Sequence, residues 1–172
     1  NPQRPFSGKF NPIMQAEIDP ANKVRDMISN RSFFTIKFMP WLSFTANMAY
    51  DTSRTRFKRR RNNIMGDQPD GTLSIEDNRY QTLLFNQLLN FNKSFGEHNL
   101  EALLGHESYE LTSTYSYLAK KGMGLLGYDE MSNLSEVTDA ESNTTPYRKE
   151  GYLGRVNYSY ASKYNVSATG RY

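Results

Sequence analysis

The chain has 172 residues, a formal charge of +3 and no cysteine. The length allows one ordinary domain, the missing cysteines exclude a disulfide framework or a thiolate metal site, and so mild a basic excess does not argue for nucleic acid. Mean hydropathy is −0.74 and no apolar run approaches the roughly 20 residues of a spanning helix, yet 12 Tyr and 10 Phe make the chain rich in rings.

The first stretch, Asn1 to Ala21, carries Pro2, Pro5, Pro12 and Pro20 and reads as loop. Next, Phe34, Ile36 and Phe38 share one parity up to a turn at Met39-Pro40-Trp41. The returning run sets Leu42, Phe44, Ala46, Met48 and Tyr50 against Ser43, Thr45, Asn47, Ala49 and Asp51. Side chains on a strand change face at every residue, so this alternation writes one apolar and one polar face. Residues 52–78 are polar and turn-rich, and they are expected to form a long loop whose first part prolongs the strand.

The run Tyr80 to Asn92 puts Leu83, Phe85, Leu89 and Phe91 on one parity, interrupted by Gln87. Taken alone, Leu83, Leu84, Gln87, Leu88 and Phe91 would also suit a helix. The turn Ser94-Phe95-Gly96-Glu97-His98 and the return through Leu100, Ala102 and Leu104 favour a hairpin. Residues 111–150 are rich in Ser, Thr and Gly and are expected to form a second long loop. The last hairpin alternates best. Tyr152, Gly154, Val156, Tyr158 and Tyr160 oppose Leu153, Arg155, Asn157 and Ser159, and after Ala161-Ser162-Lys163 the pattern resumes from Tyr164 to Tyr172.

Three hairpins with short turns at one end and long loops at the other predict an all-β fold, an antiparallel transmembrane β-barrel section of about six strands. Phe38, Trp41, Phe91, Phe95, Tyr160 and Tyr164 flank the short turns, and Tyr50, Tyr80, Tyr109, Tyr152 and Tyr172 lie roughly ten residues away. Ten tilted residues climb about 25 Å, the height of a barrel's apolar band, so these rings suggest two aromatic girdles. Tyr80 and Tyr109 do not share the parity of their apolar neighbours. The alternative is a soluble all-β carbohydrate-binding or adhesive module that buries the same apolar face in a sandwich. The chain begins without Met and stops within a patterned strand, which reads as an internal piece of something larger.

Few motifs carry chemistry. Gly122-Met-Gly-Leu-Leu-Gly127 matches a dinucleotide fingerprint in letters, but Lys120-Lys121 precede it and no helix pattern follows, so the glycines read as bends of an outer loop. Asp67, Asp70, Glu76 and Asp77 do not fit an EF-hand loop, because Gly66 stands where its first ligand belongs. That leaves an irregular calcium site as the lesser option. His98 and His106 have no partners at ligand spacing, and no catalytic set can be named. The expectation is therefore a protein that is not an enzyme, with no cofactor and no metal centre. Arg54, Arg56, Lys58, Arg59, Arg60 and Arg61 form a dense basic run. It reads as a solvated face, as a site for lipid phosphates of the outer leaflet, or as a docking surface for a partner or ligand.

The stretch Lys93-Ser-Phe-Gly-Glu-His-Asn-Leu-Glu-Ala-Leu-Leu-Gly-His-Glu107 resembles a recurrent hairpin of SusC/RagA-type TonB-linked outer-membrane transporters. Gly151-Tyr-Leu-Gly-Arg-Val-Asn-Tyr-Ser-Tyr-Ala-Ser-Lys-Tyr164, running on to Arg171-Tyr172, is similar to their following hairpin, and Asn11-Pro12 fits the family's order. The resemblance implies a barrel of 22 strands around a plug, importing glycans or peptides across the outer membrane with TonB energy, under a SusD-type surface lipoprotein. It implies that the whole of 1–172 belongs to one such barrel domain, with the plug and the other strands outside this sequence. In that frame even-numbered apolar residues face lipid. Odd-numbered residues line the lumen or plug, which nominates Thr45, Asn47, Arg155, Asn157, Ser167 and Arg171 as contacts of plug or substrate.

Overall fold

The computed structural model describes residues 12–63 and 70–172. A short helix, α1 (Pro12–Ile18), precedes six strands: β1 (Ala21–Met39), β2 (Leu42–Arg61), β3 (Thr72–Phe95), β4 (His98–Met123), β5 (Leu134–Tyr160) and β6 (Tyr164–Arg171). They form one sheet in the order β1-β2-β3-β4-β5-β6, so every strand pairs with its sequence neighbour. The all-β expectation holds, and the helical option for the stretch after Tyr80 falls to β3.

Two expectations are corrected. The stretch before Ala21 is not all loop, since α1 forms there; proline is tolerated in the first helical turn, where no N–H is required. Residues 1–11 lie outside the described residues. The long loops at 52–78 and 111–150 shrink to the connections 62–71 and 124–133, because β2 to β5 run 20, 24, 26 and 27 residues. A membrane-spanning strand needs only about 9–11. Alternation of hydropathy marked where one face is apolar. Polar residues continue the same backbone ladder beyond that band, and nothing in their side chains announces it.

The chain divides into two compact units, one of residues up to 26 with 53–79 and 113–145, the other of 27–52, 80–112 and 146–172. The first holds the small apolar core. Leu73, Met123 and Leu134 pack together with Met131 against them. Gly71 adopts φ +62, and a Cβ there would lie 2.9 Å from Met123 Cβ, so the turn into β3 needs glycine. Arg60 fastens α1: its N–H donates to the Pro20 carbonyl at 3.1 Å and its Nε–H to the Ile18 carbonyl at 3.1 Å, one of the helix-end acceptors that otherwise lack a partner.

In the second unit only Ala46 and Ala49 are buried apolar residues among those described. Phe34, Ile36, Phe38, Val156, Tyr164 and Val166 stand uncovered, Val166 at 65%. No second layer of described residues covers them. Between β5 and β6 the register pairs Val156 with Ala168, Asn157 with Ser167, Tyr158 with Val166 and Leu153 with Arg171. Even meets even and odd meets odd, which keeps the two chemistries on separate faces.

Candidate functional site

Side-chain contacts show which residues share a face. On β1 and β2 the rings of Phe34 and Phe44 meet at 6.1 Å, while the hydroxyls of Thr35 and Thr45 hydrogen-bond at 3.1 Å on the other side. On β4 and β5, His106 stacks on Tyr152 at 4.9 Å, and His98 packs against Tyr158 and Tyr160. All of these β4 and β5 partners are even-numbered. Even-numbered apolar residues therefore form one face in every strand but β3. In β3 the odd set shares that face, since Gln81 donates to the Tyr50 hydroxyl at 3.0 Å. The single parity rule fails there.

The turn ends are tied ring to ring. Trp41 meets Phe91 edge-on at 5.3 Å, and the Lys93 ammonium lies 4.8 Å from the Trp41 ring centre and 5.0 Å from that of Phe95. An aromatic belt with a cation at its edge suits a membrane interface. Tyr109 departs from the expected second girdle. It lines a cleft of about 290 Å³ with Leu84, Asn86, Glu107, Lys149 and Arg171, on the polar face.

Four of the six nominated contacts come together on that polar face. Asn157 and Ser167 are paired, the serine donating to Asn157 Oδ1 at 2.8 Å, and both line a cleft of about 290 Å³ with Asn99, Glu101 and Asn165. Arg155 lines a second of about 200 Å³ with Asn90, Asn92, Glu101 and Leu103. Arg171 lies 2.6 Å from Glu107. Thr45 bonds Thr35, and Asn47 is half-buried on β2. The sequence reading missed Glu101, Glu107, Asn86 and Asn90. Glu101 and Glu107 are odd residues of β4 and were legible. Asn86 and Asn90 were hidden by the reversed parity of β3. Asn86 Oδ1 is buried with no hydrogen-bond partner among the described residues.

The basic run does not act as one patch; its parity splits it. Arg54 holds Asp77 through Nε at 2.8 Å and Nη2 at 2.5 Å, Lys58 lies 3.5 Å from Glu130, and Arg60 donates to Asp129 at 2.7 Å. Hydrogen bonds from Arg54 hold the Asp77 carboxyl below its usual range, and the charges of Arg54, Arg79 and Arg56 add to this. The odd members, Arg59 and Arg61, sit apart from these carboxylates in a different cleft. Nearby on β4, burial and then the carboxylates of Glu76 and Glu141 push the Tyr115 phenol up.

The connection 124–133 is built by one side chain. Asn133 accepts from the Leu125 N–H at 3.0 Å and donates to the carbonyls of Leu125 and Tyr128 at 2.7 and 2.9 Å. The loop so fixed presents Leu125, Leu126 and Tyr128 to solvent. Among the described residues no group of acidic or histidine side chains could hold a metal ion.

No family model matches the chain. A TonB-dependent receptor, P3 of Formosa agariphila, is 22% identical over 165 residues, covering 94% of this chain and 16% of the receptor. The chain is similar to a section of that TonB-dependent receptor. Its fold is similar to part of the RagAB peptide transporter, at TM-score 0.81 and 21% identity over 91% of this chain and 18% of that one. The RagAB peptide importer in its closed-closed and open-open states gives TM-scores of 0.75 and 0.74, at 23% and 22% identity over the same shares. The SusC/RagA-type resemblance of the sequence is thereby borne out. The chain spans about a sixth of the length of the curated receptor it matches.

Proposed function

We propose that these strands are channel wall in an outer-membrane, TonB-dependent importer of glycans or peptides. The supporting observation is the uncovered apolar face of β1, β2, β5 and β6 backed by a face of Asn, Arg and carboxylate side chains. Hydrocarbon would cover the first, and water, plug or cargo would meet the second. Arg155, Asn157, Ser167 and Arg171, with Thr45 and Asn47, are its contacts to plug or substrate, and Asn86 offers a free acceptor beside them. The Leu125, Leu126 and Tyr128 tip is an apolar dock for a SusD-type surface lipoprotein, since exposed apolar clusters mark protein contacts.

Cysteine scanning tests the reading in the whole receptor, because this section brings no cysteine of its own. In outer membranes Arg155→Cys, Asn157→Cys and Ser167→Cys should react with a water-soluble maleimide and be protected by plug or cargo. Val156→Cys, Tyr158→Cys and Val166→Cys should stay unreactive. Equal labelling of both parities would remove the membrane-wall reading. A photocrosslinker at Tyr128 should capture a lipoprotein; failure to do so would remove the lid alone.

A further inference from the structure

We propose that Arg59 and Arg61 form a binding site for the acidic substituent of an anionic oligosaccharide, a carboxylate or a sulfate ester. The inference deepens the importer reading and rests on it. The cleft holds about 290 Å³ and is lined by Arg59, Arg61, Thr72, Ser74, Tyr117, Ala119 and Thr138. Its cations differ from Arg54, Lys58 and Arg60 in being unpaired among the described residues, and from the equally unpaired Arg56 in lying on the opposite parity of β2. Arg54, Lys58 and Arg60 each hold a carboxylate, whereas neither Arg59 nor Arg61 has a hydrogen-bond or ion-pair partner among the described residues, and both are exposed. Two guanidinium groups two residues apart on one strand face the same side and present paired N–H donors to an oxyanion.

The remaining lining selects the rest of the ligand. Four side chains, Thr72, Ser74, Tyr117 and Thr138, bring hydroxyls, and Ala119 is the one aliphatic side chain in the cleft. Hydroxyls and an aromatic ring suit a sugar, whose ring offers alternating hydroxyl and C–H surface. A peptide would seek a strand edge for its backbone. The lining strands β2, β3, β4 and β5 are all interior to the sheet order and have no edge to give. The volume is that of a small ligand pocket and suits one or two sugar rings. Polarity is fixed as well. The negative charges of Glu76, Glu141 and Asp139 act on the phenol of Tyr115, two residues along β4 from Tyr117, so an acidic substituent is repelled from that end and held at the arginines.

Binding to the complete receptor in detergent, measured calorimetrically, decides the matter. The panel is uronate-bearing oligosaccharides, sulfated oligosaccharides, their carboxyl-reduced and desulfated counterparts, and acidic peptides of equal charge. At least one acidic saccharide should bind about tenfold or more tighter than its neutral counterpart. The Arg59→Gln/Arg61→Gln double variant should erase that preference, Arg59→Lys/Arg61→Lys should restore part of it, and Arg54→Gln should leave it intact. Whether the uronates or the sulfates respond names the substituent. The proposal is overturned if no acidic saccharide is preferred, if the double variant keeps the preference with unchanged circular dichroism, or if acidic peptides bind as tightly through the same arginines. A receptor that passes the cysteine scan and fails here remains an importer with another cargo.

Discussion

Arg60 shows how much one side chain settles. It is 8% exposed, donates to the Ile18 carbonyl and to Asp129, and so joins α1, β2 and the 124–133 connection. Arg60→Met keeps the length of the side chain and removes every donor. Asp129 and the helix-end carbonyl then lose a partner, and stability should fall by about 1–3 kcal/mol in a chemical denaturation series. Arg54→Met removes only an exposed partner and should cost less. A charge run in a sequence cannot reveal this difference, because pairing depends on strands far away in the chain. Parity was the legible part: alternate cations must face opposite ways, so the odd Arg59 and Arg61 lie apart from the even Arg54, Lys58 and Arg60, which are paired with carboxylates.

Asp77 adds a pH dependence. Its carboxyl is held below the ordinary value in the folded state, first by hydrogen bonds from Arg54. The folded protein therefore binds fewer protons than the unfolded chain wherever the two values are straddled. Its stabilising contribution is complete above about pH 4–5, and it is lost as pH falls through the depressed folded value. Asp77→Asn should flatten the acid limb of a denaturation-midpoint profile and leave its neutral region parallel to that of the parent. An unchanged acid limb would show that the pair is solvent-screened and inert.

At the scale of the element, hairpin order was written plainly and strand length was not. The turns at Pro40-Trp41, Gly96-Glu97 and Ala161-Ser162-Lys163 were readable from composition and from the resumption of alternation. The polar ends of β2 to β5 were not, since a strand with both faces polar has no period to read. The parity of β3 was also misread, because Leu84 and Leu88 make its polar face half apolar. Their purpose is visible across the sheet. Gly105 lies buried between Leu88 and Leu153, and a Cβ on it would come within 2.8 Å of Leu153 Cγ and 3.0 Å of Leu88 Cδ2. The glycine is a slot that lets two leucines meet over β4. Gly105→Val should overpack the slot and cost about 1–3 kcal/mol. Combining it with Leu153→Ala should recover part of the loss, whereas Leu104→Ala, on the opposite face, should recover none.

For the molecule as a whole, the division of faces is the property on which the proposed insertion into the membrane would depend. Val156 and Asn157 are adjacent on β5 and are paired with Ala168 and Ser167 on β6, so they differ in the face they present and hardly in depth. A cation on the lipid face near the bilayer centre costs about 2–4 kcal/mol, while one on the lumen face stays hydrated. Val156→Arg in the whole receptor should therefore slow folding into lipid vesicles and lower its yield, with Asn157→Arg close to the parent. A soluble sheet would tolerate arginine at exposed Val156 better than at Asn157, whose amide oxygen accepts from Ser167. The order of the two variants thus reverses between membrane and water. Measuring both in vesicles and in detergent separates a loss of bilayer insertion from a loss of the sheet itself, because only the first is relieved when the acyl chains are replaced by a yielding micelle.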